Sequence, residues 1–107
     1  MNSNIPLPEL YGRIGQEWAE AEAAASLLEE TKSAFLSQRM QEQLIRDMPL
    51  NRAEMNVKSS QEWRDFIQKM VDARKQANTL KVKLEQIRMA HSKWISEDAN
   101  ERAQARM

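Results

Sequence analysis

The 107-residue chain is 41% apolar and 30% charged, and its 16 Lys and Arg residues balance 16 Asp and Glu residues. It contains no cysteine, which excludes disulfides, thiolate catalysis and zinc sites built on sulfur. No apolar run approaches the roughly 18 residues that a membrane span needs, and no signal-peptide pattern opens the chain, so we expect a cytoplasmic protein.

The N-terminal part predicts a short arm followed by a long helix. Residues 1–8 contain Pro6 and Pro8, which disfavour helix in the residue before each, so we expect an extended arm. Apolar residues then recur at a spacing of seven, which predicts a helix over 9–47 with one apolar stripe. The members of this stripe are Ile14, Ala21, Leu28 and Phe35.

A break is predicted between residues 48 and 58, where Pro49 stops the first helix. The sequence Ser-Ser-Gln-Glu follows and resembles a capping box, with Ser59 as the N-cap residue and Glu62 as its reciprocal partner. These residues therefore predict that a second helix begins at Ser59 and extends to about residue 105.

The second helix carries the strongest pattern in the chain, a heptad repeat that starts at Trp63. Its a positions are Trp63, Met70, Ala77, Leu84 and His91, and its d positions are Phe66, Ala73, Leu80, Ile87 and Trp94. All of these except His91 are apolar, which is typical of a helix that keeps one seam against partner helices.

Two long helices and one break predict an all-α fold, an antiparallel two-helix hairpin that forms a single domain over 9–105. A turn centred near residue 53 would place Phe35 opposite Val71. The apolar surface of the second helix is wider than one partner covers, so we expect two copies to form a four-helix bundle. The predicted self-association residues are Trp63, Phe66, Met70, Leu80, Leu84, Ile87 and Trp94.

Charge is unevenly distributed. Residues 1–58 have six Lys and Arg against nine Asp and Glu, and residues 59–107 have ten against seven. The basic residues concentrate at Lys69, Arg74, Lys75, Lys81, Lys83, Arg88 and Lys93. One interpretation is that the acidic first helix lies beside the basic second helix; the other is that the cations form a nucleic-acid-binding surface.

The sequence contains no catalytic motif. The only histidine, His91, occupies a core position without the Glu-x-x-His spacing of a metal site, so we interpret it as a structural residue. The carboxylates at Glu29, Glu30, Glu97, Asp98 and Glu101 are interpreted as solvated helix faces. We predict no metal, no cofactor and no enzymatic activity.

Two short stretches resemble a group of small helical proteins encoded by tailed phages and prophages. Residues 25–33 contain Leu-Glu-Glu followed by Lys, and residues 94–102 contain Trp followed by Ala-Asn-Glu-Arg. The chain departs from the group at Trp63, where a Tyr is expected. The resemblance implies a phage or prophage origin, no enzymatic role, and a location in the host cell cytoplasm.

Together these features predict a non-enzymatic helical protein that self-associates and assists another protein, for example in phage DNA metabolism or host takeover. The alternative is direct nucleic-acid binding through the basic residues of the second helix. The sequence leaves the identity of the partner and the choice between DNA and RNA open.

Overall fold

A computed structural model of the chain describes residues 5–105. Over that range the protein is all-α, as the composition predicted, and every regular element is a helix. Helix α1 spans Leu7–Leu44, α2 spans Leu50–Lys58 and α3 spans Gln61–Ala105. Residues 1–4 of the predicted arm lie outside the described residues, and α1 already includes Leu7 and Pro8 of its second half.

Prolines mark the starts of α1 and α2, and a residue with a left-handed backbone lies between these two helices. Pro6 is the N-cap residue of α1, and Pro8 lies in its first turn, where a missing N–H has no consequence. After Leu44 the backbone turns, and Asp47 has a φ of 59°, in the left-handed region that Asp tolerates better than most residues. Pro49 then provides the N-cap of α2. No helix crosses Pro49, and the predicted connection, within which a turn of helix was expected at residues 51–55, forms the longer helix α2.

The start of α3 differs from the predicted capping box by one residue. Ser59 is the C-cap residue of α2, and its hydroxyl donates to Met55 O at 2.9 Å. Ser60 caps α3 instead, because its Oγ accepts the Trp63 backbone N–H at 3.2 Å. Glu62 points away from the cap and forms an ion pair with Arg39 at 3.2 Å. The backbone of Ser59 has the helical geometry of α2, so it cannot adopt the extended conformation of an N-cap residue.

Helices α1 and α3 lie side by side in opposite directions, since residues late in α1 contact residues early in α3. The rings of Phe35 and Phe66 stack with centroids 4.6 Å apart. Phe35 therefore lies opposite Phe66, five residues away from the Val71 that the sequence predicted. The reason is α2, which packs against the last turns of α1, so that α3 begins beside Arg39.

The molecule is long and thin, with extents of 85 × 24 × 16 Å and a radius of gyration of 23.5 Å. A compact chain of this length has a radius of gyration of about 13 Å. The buried apolar residues of the described range are correspondingly few: Ala25, Ala53, Val57, Trp63, Ala77 and Leu80. A single helix pair therefore leaves most of its large apolar side chains in partial contact with solvent.

Candidate interaction surfaces

The predicted self-association residues are unequally covered within the chain. Trp63 and Leu80 are buried, whereas Trp94 is 60% exposed. The other four, Phe66, Met70, Leu84 and Ile87, are half-buried. α1 covers the first part of this set, because Phe35 stacks on both Trp63 and Phe66. At the other end of the pair, Leu7 and Pro8 of α1 line a groove with His91 of α3. α3 therefore continues beyond the first residues of α1, and Trp94 lies in this continuation.

A groove runs along one side of the α1–α3 pair, and we call it the Glu17 flank. Its first part has a volume of about 350 Å³ and is lined by Glu17, Glu20, Ala21, Ala24, Ala73, Gln76 and Leu80. Its second part has a volume of about 390 Å³ and is lined by Leu7, Leu10, Ile14, Lys83, Gln86, Ile87 and Ala90. The α1 members recur every three or four residues, so the two parts lie on the same side of that helix.

The opposite side of the pair, the Trp18 flank, combines aromatic and charged residues. Its groove has a volume of about 210 Å³ and is lined by Tyr11, Trp18, Lys81, Leu84, Glu85 and Arg88. The indole nitrogen Nε1 of Trp18 is buried and has no hydrogen-bond acceptor among the described residues. Since this N–H is shielded from solvent, the groove does not present it to a ligand.

One basic residue of α3 is neutralised by α1. Arg74 donates two hydrogen bonds to Glu29, from Nε at 2.8 Å and from Nη2 at 2.7 Å, and a third from Nη1 to Glu22 at 2.6 Å. The hydrogen bonds from Arg74 hold the pKa of the Glu29 carboxyl below its ordinary value. The same bonds raise the pKa of Arg74 further above its ordinary range.

The other six basic residues of the predicted nucleic-acid surface are exposed: Lys69, Lys75, Lys81, Lys83, Arg88 and Lys93. Within residues 5–105, no carboxylate lies within 4.0 Å of any of them. They are distributed around α3, because Lys83 lies on the Glu17 flank and Lys81 and Arg88 lie on the Trp18 flank. Lys75 belongs to a third surface, on the outer side of α3. The structure does not bring the seven residues into one surface.

His91 is half-buried near the start of α1, where it stacks on Trp94 with ring centroids 6.2 Å apart. Over the part of the chain that the structure describes, no three His, Asp or Glu side chains are close enough to hold a metal ion. In the same part, no helix is both long and apolar enough to cross a bilayer.

Sequence reasoning offered the interpretation that the acidic first helix lies beside the basic second helix, but it did not identify the Arg74 cluster or the Glu17 flank. Glu22 and Glu29 are seven residues apart, and this spacing places both on one stripe of α1 beside α3. The signal for the cluster was therefore present, but its partner is determined only by the register of the two helices. The sequence signal for the Glu17 flank is the pair Ala21 and Ala24, because their small side chains leave the groove between α1 and α3 open on this side.

Comparison with known proteins finds no matching family model, no similar curated protein and no similar solved structure. The resemblance to small phage proteins therefore stays a prediction.

Proposed function

We propose that this protein is a non-enzymatic helical interaction protein that associates with a second copy of itself and acts as an accessory to another protein. The observation that carries the proposal is its large exposed surface. The chain exposes 8583 Å², whereas a compact monomer of its 12.5 kDa mass exposes about 6,200 Å². The difference of about 2,400 Å² is within the range that an obligate homodimer buries.

The character of this surface supports the same proposal. Phe35 of α1 and Phe66, Met70, Leu84 and Ile87 of α3 are only half-buried, and Trp94 is 60% exposed. An exposed apolar side chain forfeits roughly 1.5–3 kcal/mol relative to full burial. A four-helix bundle of two copies removes this surface from water without changing the fold of either chain.

The proposed setting is the cytoplasm of a host cell, with the chain encoded by a phage or prophage. It rests on the Leu-Glu-Glu and Ala-Asn-Glu-Arg stretches described above. An accessory role in phage DNA metabolism or host takeover follows from that origin and from the absence of any catalytic motif in the sequence.

Sedimentation equilibrium at micromolar concentration tests self-association. We expect the wild-type chain to sediment as a dimer, and Leu84→Glu to dissociate or unfold it by disrupting the α1–α3 pair of each copy, because Leu84 lies beside Gly15 of α1. Val82→Glu is the matched control, since Val82 is two residues away and 52% exposed on the outer side of α3. A folded wild-type monomer at this concentration overturns the proposal.

The second candidate is direct nucleic-acid binding, which the six exposed cations of α3 favour, since none of them pairs with a carboxylate of residues 5–105. Binding that depends on these residues weakens steeply as salt rises, because each phosphate contact releases counterions. Fluorescence anisotropy with labelled DNA and RNA, repeated over a range of salt concentrations, measures this dependence. Reversal of Lys75, Lys83 and Lys93 to Glu should abolish binding if this candidate is correct. Affinity that is unchanged both by this reversal and by reversal of Lys69, Lys81 and Arg88 rules it out.

A further inference from the structure

The Glu17 flank has the shape of a helix-packing surface. Its floor is formed by apolar or small side chains of both helices, including Ile14, Ala21, Ala24, Leu80 and Ile87. Small residues allow another backbone to approach closely, and the two grooves follow one another along the helix pair. The α1 residues that line them span 7–24, which corresponds to about 26 Å of helix.

The edges of this flank carry opposite charges. Glu17 and Glu20 belong to α1, and Lys83 belongs to α3. No oppositely charged group of residues 5–105 lies within 4.0 Å of any of the three. Glu17 and Lys83 are also nearly level along the long axis, because Gly15 lies beside Leu84. One edge is thus acidic and the other basic at the same height.

We infer that the Glu17 flank is the surface on which a second copy of this chain docks, with the two-fold axis parallel to the long axis of the molecule. This inference rests on the proposed function and names the surface and the symmetry that it uses. A rotation about such an axis places α1 of one copy antiparallel against α3 of the other. It brings Glu17 of each copy opposite Lys83 of the other copy, so that the same ion pair forms twice.

The charges favour this axis over a two-fold axis that is perpendicular to the helices. The perpendicular axis would place α1 on the partner's α1 and α3 on the partner's α3. The acidic edge then meets an acidic edge, and the basic edge meets a basic edge, which is destabilising. The parallel axis instead places the acidic edge of each copy against the basic edge of the other. It gives a bundle in which every neighbouring pair of helices is antiparallel.

The test uses the single variants Glu17→Lys and Lys83→Glu, alone and mixed, with dimer dissociation measured by sedimentation equilibrium. Each variant alone places like charges at both symmetric contacts, and we expect dimer affinity to fall about tenfold. In an equimolar mixture, the lysine introduced at position 17 of one copy can face the glutamate introduced at position 83 of the other. The second contact of that heterodimer joins the native Glu17 and the native Lys83. We therefore expect the mixture to form a heterodimer with near wild-type affinity.

The matched control is Lys81→Glu, which makes the same charge change two residues away but on the Trp18 flank. We expect it to leave dimer affinity unchanged. Single variants that dimerise like the wild type, or a mixture that gives no rescue, overturn the assignment of this flank while leaving self-association itself intact. A monomeric wild-type chain overturns both the assignment and the proposed function. Circular dichroism of each variant shows whether its helices are retained.

Discussion

Arg74 of α3 binds Glu29 of α1 through two parallel hydrogen bonds, of 2.8 and 2.7 Å, and reaches Glu22 with a third nitrogen. Glu22 and Glu29 are two helical turns apart, so one guanidinium contacts α1 at two levels and supports the register of the two helices. A lysine would supply the charge without this fork geometry. The cluster is part of what aligns α1 with α3.

Acid should weaken this contact. The pKa of Glu29 in the folded chain is below its ordinary value of 4.5 because Arg74 donates hydrogen bonds to its carboxylate. A carboxyl group with a lowered folded-state pKa stabilises the fold above its unfolded-state pKa, and this contribution is lost as pH falls through the folded value. We expect the Tm of the wild type to fall more between about pH 6 and pH 3 than that of Glu29→Gln. Equal falls would show that the contact contributes nothing to stability.

The stack of Phe35 on Phe66 should give a measurable coupling energy between the two residues in a double-mutant cycle. Phe35→Leu and Phe66→Leu each remove one ring, and the double variant should be less destabilised than the sum of the two by about 0.5–1.5 kcal/mol. Urea unfolding followed by circular dichroism measures all three variants. Phe35→Leu combined with the distant Ile87→Val is the control and should be additive. A strictly additive Phe35 and Phe66 pair would contradict the register described above.

Substitution of two neighbouring serines tests which of them is the N-cap residue of α3. Ser60→Ala removes the acceptor for the Trp63 backbone N–H and should lower the free energy of unfolding by about 1 kcal/mol. Ser59→Ala removes only a hydroxyl that bonds to the end of α2, and its effect should be smaller. If Ser59→Ala is the more destabilising, α3 begins one residue earlier than described.

Gly15→Ala should stabilise the chain. Gly15 lies inside α1 with a negative φ, and a Cβ there would lie 3.8 Å from Leu84 Cδ2, an ordinary contact. The alanine therefore fits, and it should raise the free energy of unfolding by about 0.4–1 kcal/mol because it restricts the unfolded chain. Gly12→Ala is the parallel case, with no atom within 4 Å of the new Cβ. A lower Tm for either variant would mean that the start of α1 is not helical.

The sequence was sufficient for the fold class and for the position of the long helices. The heptads from Trp63 and the spacing of Ile14, Ala21, Leu28 and Phe35 are local patterns, and local patterns determine which residues become helical. Pro49 marked the break for a reason that is also local, since it restricts the backbone of Met48.

What the sequence did not provide depends on contacts between distant residues. The register of α1 against α3 follows from the packing of α2 on α1, and no pattern within residues 50–58 specifies where that helix docks. Without the register, Arg74 could not be matched with Glu22 and Glu29. The distribution of the basic residues, in contrast, follows from spacing alone, because Lys81 and Lys83 are two residues apart on one helix and therefore lie on opposite flanks.

Small-angle X-ray scattering in solution tests the central claim most directly, because it measures mass and maximum dimension together. Side-by-side association of two chains about an axis parallel to the helices gives a particle of about 25 kDa, twice the 12.5 kDa chain, whose length stays near the 85 Å of one copy. We expect that combination at micromolar concentration. A particle of 12.5 kDa, or a dimer much longer than 85 Å, would contradict it.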